Sequence, residues 1–190
     1  MSRLIVSAWV TLDGYVAGAD DSMDWLRGDA DLAAYEMDLV EGAGVLLLGR
    51  KTHEDFASYW PKVAGGELEA DEANRQYARR LDQLEKIVAS RTGRIASWPR
   101  SRCIQEVSEA EIRRVKVSAD GDVVVYGSLS LVGALNELRA IDEFHLIVHP
   151  VLLCRGKPLL GEDQPRADLG LIECKPFSSG AVLLKYGTAG

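Results

Sequence analysis

Three times along this chain an aliphatic run of strand character stops at small, polar or basic residues that could meet an anion. These are Gly49-Arg50-Lys51-Thr52 after "VLLL", Ser90-Arg91 after "KIVA", and Gly127-Ser128-Leu129-Ser130 after "DVVVY". In an open α/β sheet such strand ends are where ligands bind, because the helices that follow present N–H groups without partners. At Gly127 the missing side chain lets a diphosphate approach the backbone, with Ser128 and the helix start donating; the competing reading is a plain glycine turn with a helix cap. Arg50 and Arg91 each carry several donors. Two cations on one edge favour a doubly charged phosphate over a ribose hydroxyl, which would select a phosphorylated nicotinamide cofactor. The competing reading is two ordinary surface charges just outside strands. Lys51 in the first turn of a helix opposes the dipole unless an anion is near, which favours the ligand.

A second group of residues suits the other half of such a site. Asp13 lies in "TLDGYVAG", Trp25 in "SMDWLRG", and Asp31 near the start of the next helix. A carboxylate beside an indole could hold a protonated nitrogen heterocycle or relay a proton while hydride comes from the cofactor. Each residue also has a structural alternative: Asp31 as a helix cap in competition with Asp29, Asp13 as the turn residue of an Asp-Gly pair, Trp25 as a core or lid contact.

The elements that must position these groups follow from periodicity. "RLIVSAWV" reads as a buried strand followed by a long glycine-containing loop, and Leu32, Tyr35, Leu39 and Val40 give a helix its apolar face, with Gly42 and Gly44 ending it. "VLLL" lacks polar alternation, so it is expected to be a central strand covered on both faces. Thr52 with Asp55 resembles a capping box for a short helix "HEDFASYW" ended by Pro61. A charged surface helix, the strand "KIVAS", a helix over "SEAEIRRVKV", the strand "DVVVYG", and a helix over "LSLVGALNELR" capped by Ser128 or Ser130 come next. "DEFHLIVHP" is a strand stopped by proline, and "LIECKPFSSGAVLLKY" a closing hairpin turning near Ser179 and Gly180. Strand–helix–strand repetition followed by a hairpin gives a single domain, an α/β sheet with helices on both faces and one antiparallel edge.

Composition removes other classes. A net charge of -7 leaves no basic face for a nucleic-acid backbone. Three isolated cysteines, Cys103, Cys154 and Cys174, form neither a disulfide framework nor a CxxC motif and suit a reducing, cytoplasmic setting. The N-terminal residues lack a signal-peptide pattern, and no apolar run is long enough for a membrane span. His145 and His149, four apart on a strand, stand about 13 Å apart, too far to share a metal, and no metal site is expected. GxGxxG, the phosphate loop and GxSxG are all absent.

The blocks "SAWVTLDGYVAG", "LLLGRKTHEDF", "KIVASR", "DVVVYGSLSLVGALNE" and "IDEFHLIVHPVLLCRGKPLLG" together resemble the dihydrofolate reductase-like superfamily, and within it the reductase branch of bacterial riboflavin biosynthesis. The resemblance implies a three-layer α/β/α sandwich around a central, mainly parallel mixed sheet with a C-terminal antiparallel hairpin, NADPH across the strand ends, and a homodimer. It assigns Arg50, Ser90 and Arg91 to the 2'-phosphate of the cofactor, and Gly127 and Ser128 to its diphosphate, with Leu129 and Ser130 continuing the helix start. Gly49, Lys51 and Thr52 belong to the same cofactor block. By similarity to the folate branch, "MDWLRGDADLAAY" puts Asp31 in the place of the substrate acid and Tyr35 as an aromatic substrate contact, beside Trp25. "TLDGYVAG", with Asp13, is more like the riboflavin branch. A zinc deaminase signature is missing, so deamination is not expected. The function expected is an NADPH-dependent reductase of a pteridine or pyrimidine ring; the alternative is a non-catalytic NADPH-binding or sensing protein.

Overall fold

Residues that the sequence leaves as unbroken aliphatic runs become the middle of one twisted sheet. The structure is a computed structural model and describes residues 2–188. In chain order its first half contains β1 (Leu4–Thr11), β2 (Tyr15–Ala17), α1 (Ala30–Glu41), β3 (Ala43–Gly49), α2 (Arg50–Ala64), α3 (Glu72–Gln83) and β4 (Glu85–Ala89). The second half contains β5 (Ser101–Ile104), α4 (Glu109–Ser118), β6 (Asp122–Tyr126), α5 (Leu129–Glu137), β7 (Glu143–His149), β8 (Lys157–Pro158), β9 (Leu169–Pro176) and β10 (Val182–Thr188).

Eight strands form one sheet in the order β5-β4-β3-β6-β1-β7-β10-β9, with β2 and β8 making a small separate pair. From β5 to β7 every neighbour is parallel, and the β9–β10 hairpin adds an antiparallel edge. Helices α1 to α3 cover one face through residues such as Leu32, Tyr35, Leu39 and Leu81. The opposite face is covered by α4 and α5, through Ile112, Val115, Leu131 and Leu135. The fold is therefore the expected three-layer sandwich. Leu46, Leu47 and Leu48 of β3 are fully buried, which is why that strand has no polar alternation.

Of the two candidate caps of α1 the structure selects Asp29: its Oδ1 accepts from the Leu32 N–H at 2.7 Å, and its Oδ2 from the Ser179 N–H at 2.6 Å, tying the helix to the β9–β10 turn. Other local expectations need correction. Helix α2 begins two residues before the supposed Thr52 cap, with Gly49 at the capping position and no side chain bonded there. Pro61 lies inside α2 rather than ending it; Val63 is buried and the Gly65 N–H closes on the Pro61 carbonyl, so packing carries the last turn past the missing donor. Strand β5 and the β2–β8 pair were not anticipated, being two to four residues long with no periodicity to read.

One polar group is buried where α1 crosses the sheet. Trp9 Nε1 donates to Glu36 Oε1 at 2.9 Å and the Tyr126 hydroxyl to Glu36 Oε2 at 3.0 Å, while the Tyr77 hydroxyl donates to that of Tyr126 at 3.3 Å. Burial pushes the Glu36 carboxyl above its ordinary range, and the two donors only partly offset this. The native state thus holds a proton more tightly than the unfolded chain, and stability should fall as pH rises from about 4.5 through the raised value. Glu36→Gln should flatten that part of a urea-midpoint-against-pH curve. Glu36→Ala, which orphans the Trp9 and Tyr126 donors, should lower stability by about 2 to 4 kcal/mol by the same denaturation measurement.

Candidate functional site

The crossovers of the sheet diverge at one place. From β3 the chain passes through α2 on one face, and from β6 it passes through α5 on the other, yet β3 and β6 are neighbours. A crevice at the carboxyl ends of two such strands is the usual ligand position in open α/β sheets. Here the two turns touch. A side chain at Gly49 would fall on the Ser128 hydroxyl, and a Cβ at Gly127 would stand 3.2 Å from Thr52 Oγ1. Gly49, Thr52, Gly127 and Ser128, from segments far apart in sequence, are thus brought together.

Their backbone geometry suits an anion. Gly127 and Ser128 both have positive φ, 54° and 55°, the second an uncommon conformation for a residue with a side chain. Helices α1, α3 and α4 are capped by the side chains of Asp29, Asp71 and Ser108, whereas α2 and α5 have no side-chain cap bond. The uncapped pair are the two that open at the crevice. Neither has an acidic residue in its first turn, so the donor ends of both dipoles are left uncompensated.

Around this crevice the other cofactor candidates divide. Arg50 and Arg91 are exposed at the ends of adjacent strands, since Gly49 pairs with Ala89. Arg50 turns back along α2 to Glu54, with Nη1 2.6 Å and 2.7 Å from its two oxygens, and Lys51 faces Asp21 at 3.4 Å. Ser90 is buried, and its hydroxyl donates to the Arg94 carbonyl at 2.9 Å, so it shapes its own turn. Leu129 and Ser130 line a cleft of about 510 Å³ between α5 and the 158–164 segment.

The substrate-side candidates are brought together less completely. Trp25 is 7% exposed and packs edge-on against His149, ring centroids 5.2 Å apart, and Trp9 stacks on the same imidazole at 5.1 Å. Tyr35 is buried, with its hydroxyl 2.8 Å from His145 Nδ1 and its ring against Phe177. Asp13 and Asp31 stand apart from these rings. Asp13 accepts from the Thr11 hydroxyl at 2.6 Å and from the Leu153 and Cys154 N–H groups, which hold its carboxyl below the ordinary range and clamp the β1–β2 loop to the 151–154 segment. Asp31 is exposed, accepting, among the described residues, from the Ser178 hydroxyl at 3.1 Å.

The sequence reading missed Glu36, Trp9, His149 and Tyr126, which share the α1 face of β1, β6 and β7. The signal was present in two forms. Glu36 falls on the apolar stripe of α1 with Leu32, Tyr35, Leu39 and Val40, whereas Asp31 is off that stripe. Ser7, Trp9 and Thr11 alternate with Val6, Ala8 and Val10 on β1, marking a face that buries polar atoms.

Known proteins match this chain along most of its length. YyaP of Bacillus subtilis (strain 168), an uncharacterized protein, is 30% identical over 184 residues, covering 97% of this chain and 94% of its own. YwjB of the same organism, also uncharacterized, is 29% identical over 182 residues, covering 93% and 92%. Among solved structures, a putative riboflavin biosynthesis protein from Shewanella sp. PV-4 superposes with a TM-score of 0.70 at 18% identity, covering 99% of both chains. A diaminohydroxyphosphoribosylaminopyrimidine deaminase/5-amino-6-(5-phosphoribosylamino)uracil reductase from Thermotoga maritima superposes at 0.67 with 13% identity, covering 99% of this chain and 57% of that one. The RibD C-terminal domain family matches residues 2–183, and the chain belongs to that family.

Proposed function

We propose that the protein is an oxidoreductase that reduces a planar nitrogen heterocycle of pteridine or pyrimidine type with NADPH. The observation that carries this reading is the meeting of two uncapped helix N-termini, α2 and α5, in one crevice edged by Arg50, Lys51 and Arg91. Membership of the RibD C-terminal domain family supports it, as does likeness in fold to a uracil reductase.

The residues present fit the cofactor. Ser128 fills the place of a side chain at Gly49, and beside it the N–H groups of both helix starts can hold a diphosphate, assisted by Thr52 and Ser130. Arg50 and Arg91 serve the 2'-phosphate, where a guanidinium can donate twice to one group. Bound NADPH supplies the hydride. The protein's own contribution is alignment and exclusion of water, and the contacting rings of Trp9, Trp25 and His149 form the wall that does this, with Tyr35 apart from them against His145 and Phe177. Asp13 fixes the loop that shapes this wall. Asp31, on the solvent side of α1, is assigned no proton transfer. The working unit is proposed to be a homodimer, supported by Leu171 and Ile172 standing exposed on edge strand β9.

One observation favours a second reading, a protein that binds NADPH without turnover: Trp25 and His149 are packed closed against each other. Substrate-dependent loss of NADPH absorbance separates the two when oxidised pterins and 5-amino-6-(5-phosphoribosylamino)uracil are supplied. No loss with any ring, alongside tight NADPH binding, would favour the second. Calorimetry should show NADPH binding well ahead of NADH. Arg50→Ala should weaken NADPH by about 10- to 100-fold, the worth of a charge-assisted contact, and leave NADH nearly unchanged. Gly49→Ala should weaken both coenzymes about tenfold or more, because its methyl group displaces Ser128, and Ser128→Gly in the same chain should restore part of the loss.

A further inference from the structure

Among the described residues, five buried side-chain polar atoms lack a hydrogen-bond partner, and three of them sit on two rings in contact: Trp25 Nε1 and both nitrogens of His149. Leaving such a group unsatisfied costs about 1 to 3 kcal/mol. Neighbouring buried groups on the same face are satisfied: Glu36 has both oxygens engaged, and His145 has both nitrogens engaged, by Tyr35 and Glu143. Three orphaned atoms in one place mark groups whose partner arrives from outside.

Their position agrees with that. His149 ends β7 opposite Thr11 of β1, on the α1 face of the sheet and on the strand-end side that carries the crevice. Trp9, tied to Glu36, forms a fixed floor beneath its ring. Trp25, which belongs to the irregular segment between β2 and α1, packs edge-on against it. That segment is fastened through Asp21 to Lys51 and Lys157, ion pairs between side chains 40% or more exposed, and pairs of this kind contribute little. Burial, and then the nearby Arg27 charge, push the imidazole below its ordinary value. At neutral pH it is uncharged and offers one donor and one acceptor. With the Trp25 N–H, the cluster presents two donors and one acceptor.

We propose that Trp25 is a movable cover and that His149, with the Trp25 indole N–H, forms a subsite for an uncharged planar heterocycle bearing a ring carbonyl and an N–H or amino group. The inference rests on the reductase reading above and adds to it the residues that read the ring and the charge state they accept. It also implies that a ring bound as a cation is discriminated against, since Arg27 is the nearby charge.

The test uses the full chain saturated with NADP+, with 5-aminouracil as the uncharged probe and 2,4-diaminopyrimidine as a ring that is readily protonated. Nitrogen-15 spectra of the histidine and indole groups should show His149 and Trp25 shifting with 5-aminouracil. His149→Phe keeps the stacked ring and removes both nitrogens. It should weaken 5-aminouracil about tenfold, equivalent to about 1.4 kcal/mol, with NADP+ affinity and thermal midpoint close to wild type. Trp25→Phe, which keeps a cover and removes its donor, should weaken the same probe several-fold and serves if the histidine variant fails to fold. Unchanged probe affinity in both variants, no probe binding to the wild type, or tighter binding of 2,4-diaminopyrimidine at neutral pH would each overturn the subsite. Failure of the wild type to bind NADP+ would instead overturn the cofactor reading, so the two failures are told apart.

Discussion

The arrangement depends on two backbones passing each other where β3 and β6 end. Neighbouring strands lie about 4.8 Å apart, and the chains leaving them must turn to opposite faces of the sheet. Only a residue without a side chain fits at position 49, because Ser128 fills the place a Cβ would take. Ser128 gives up the usual cap conformation in return: it is left-handed, and its hydroxyl makes no bond to the first turn of α5. Forgoing a cap costs about 1 kcal/mol, and a left-handed non-glycine residue about 1 to 2 more. The strain is held in place by β6 on one side and, on the other, by the Leu131 and Val132 N–H groups bonded to the Ser128 carbonyl. Both helix starts consequently open into the same space with their donors free.

The other face of the constraint is a polar interior beneath α1. On β1 the residues facing α4 and α5, such as Leu4 and Val6, are purely aliphatic, whereas Ser7, Trp9 and Thr11 on the opposite face are not. Such a face is tolerable only if its polar atoms find partners, and Glu36 supplies two of them at once, to Trp9 on β1 and Tyr126 on β6. The buried carboxylate thereby fixes the indole on which His149 lies. It also sets α1 against β1 and β6, the second of which borders the crevice.

How much of this could be read from the sequence depends on the range of the interaction. The aliphatic runs of β3, β4 and β6 and the spacing of Leu32, Tyr35, Leu39 and Val40 are local patterns, and they produced the expected elements. The coming together of Gly49 and Ser128 was approached through strand-end logic, but their mutual exclusion of a side chain is a contact across 79 positions of sequence that no local pattern records. Asp31 drew attention because it follows Trp25 at a suggestive spacing. Helix phase gives the better criterion: one residue before Leu32 it faces solvent, while Glu36, four residues after Leu32, faces the sheet. Pro61 misled for a related reason, since its effect on a helix depends on whether tertiary packing, here through Val63, holds the turn beyond it.

Charge selection at the crevice follows from how weakly its cations are held. Arg50 is paired with Glu54 and Lys51 with Asp21, both across solvent-exposed pairs of the kind that contribute about 0 to 1 kcal/mol. The cofactor proposed above would bring to the end of β3 a phosphate dianion with more charge, a fixed position and the help of two helix dipoles, and so would compete with these carboxylates for the same side chains. Asp21 has a second partner in Lys157, near β2, and it sits on the segment that carries Trp25. Lys51 at the crevice and Lys157 near β2 are thus joined through one carboxylate to the segment that carries Trp25.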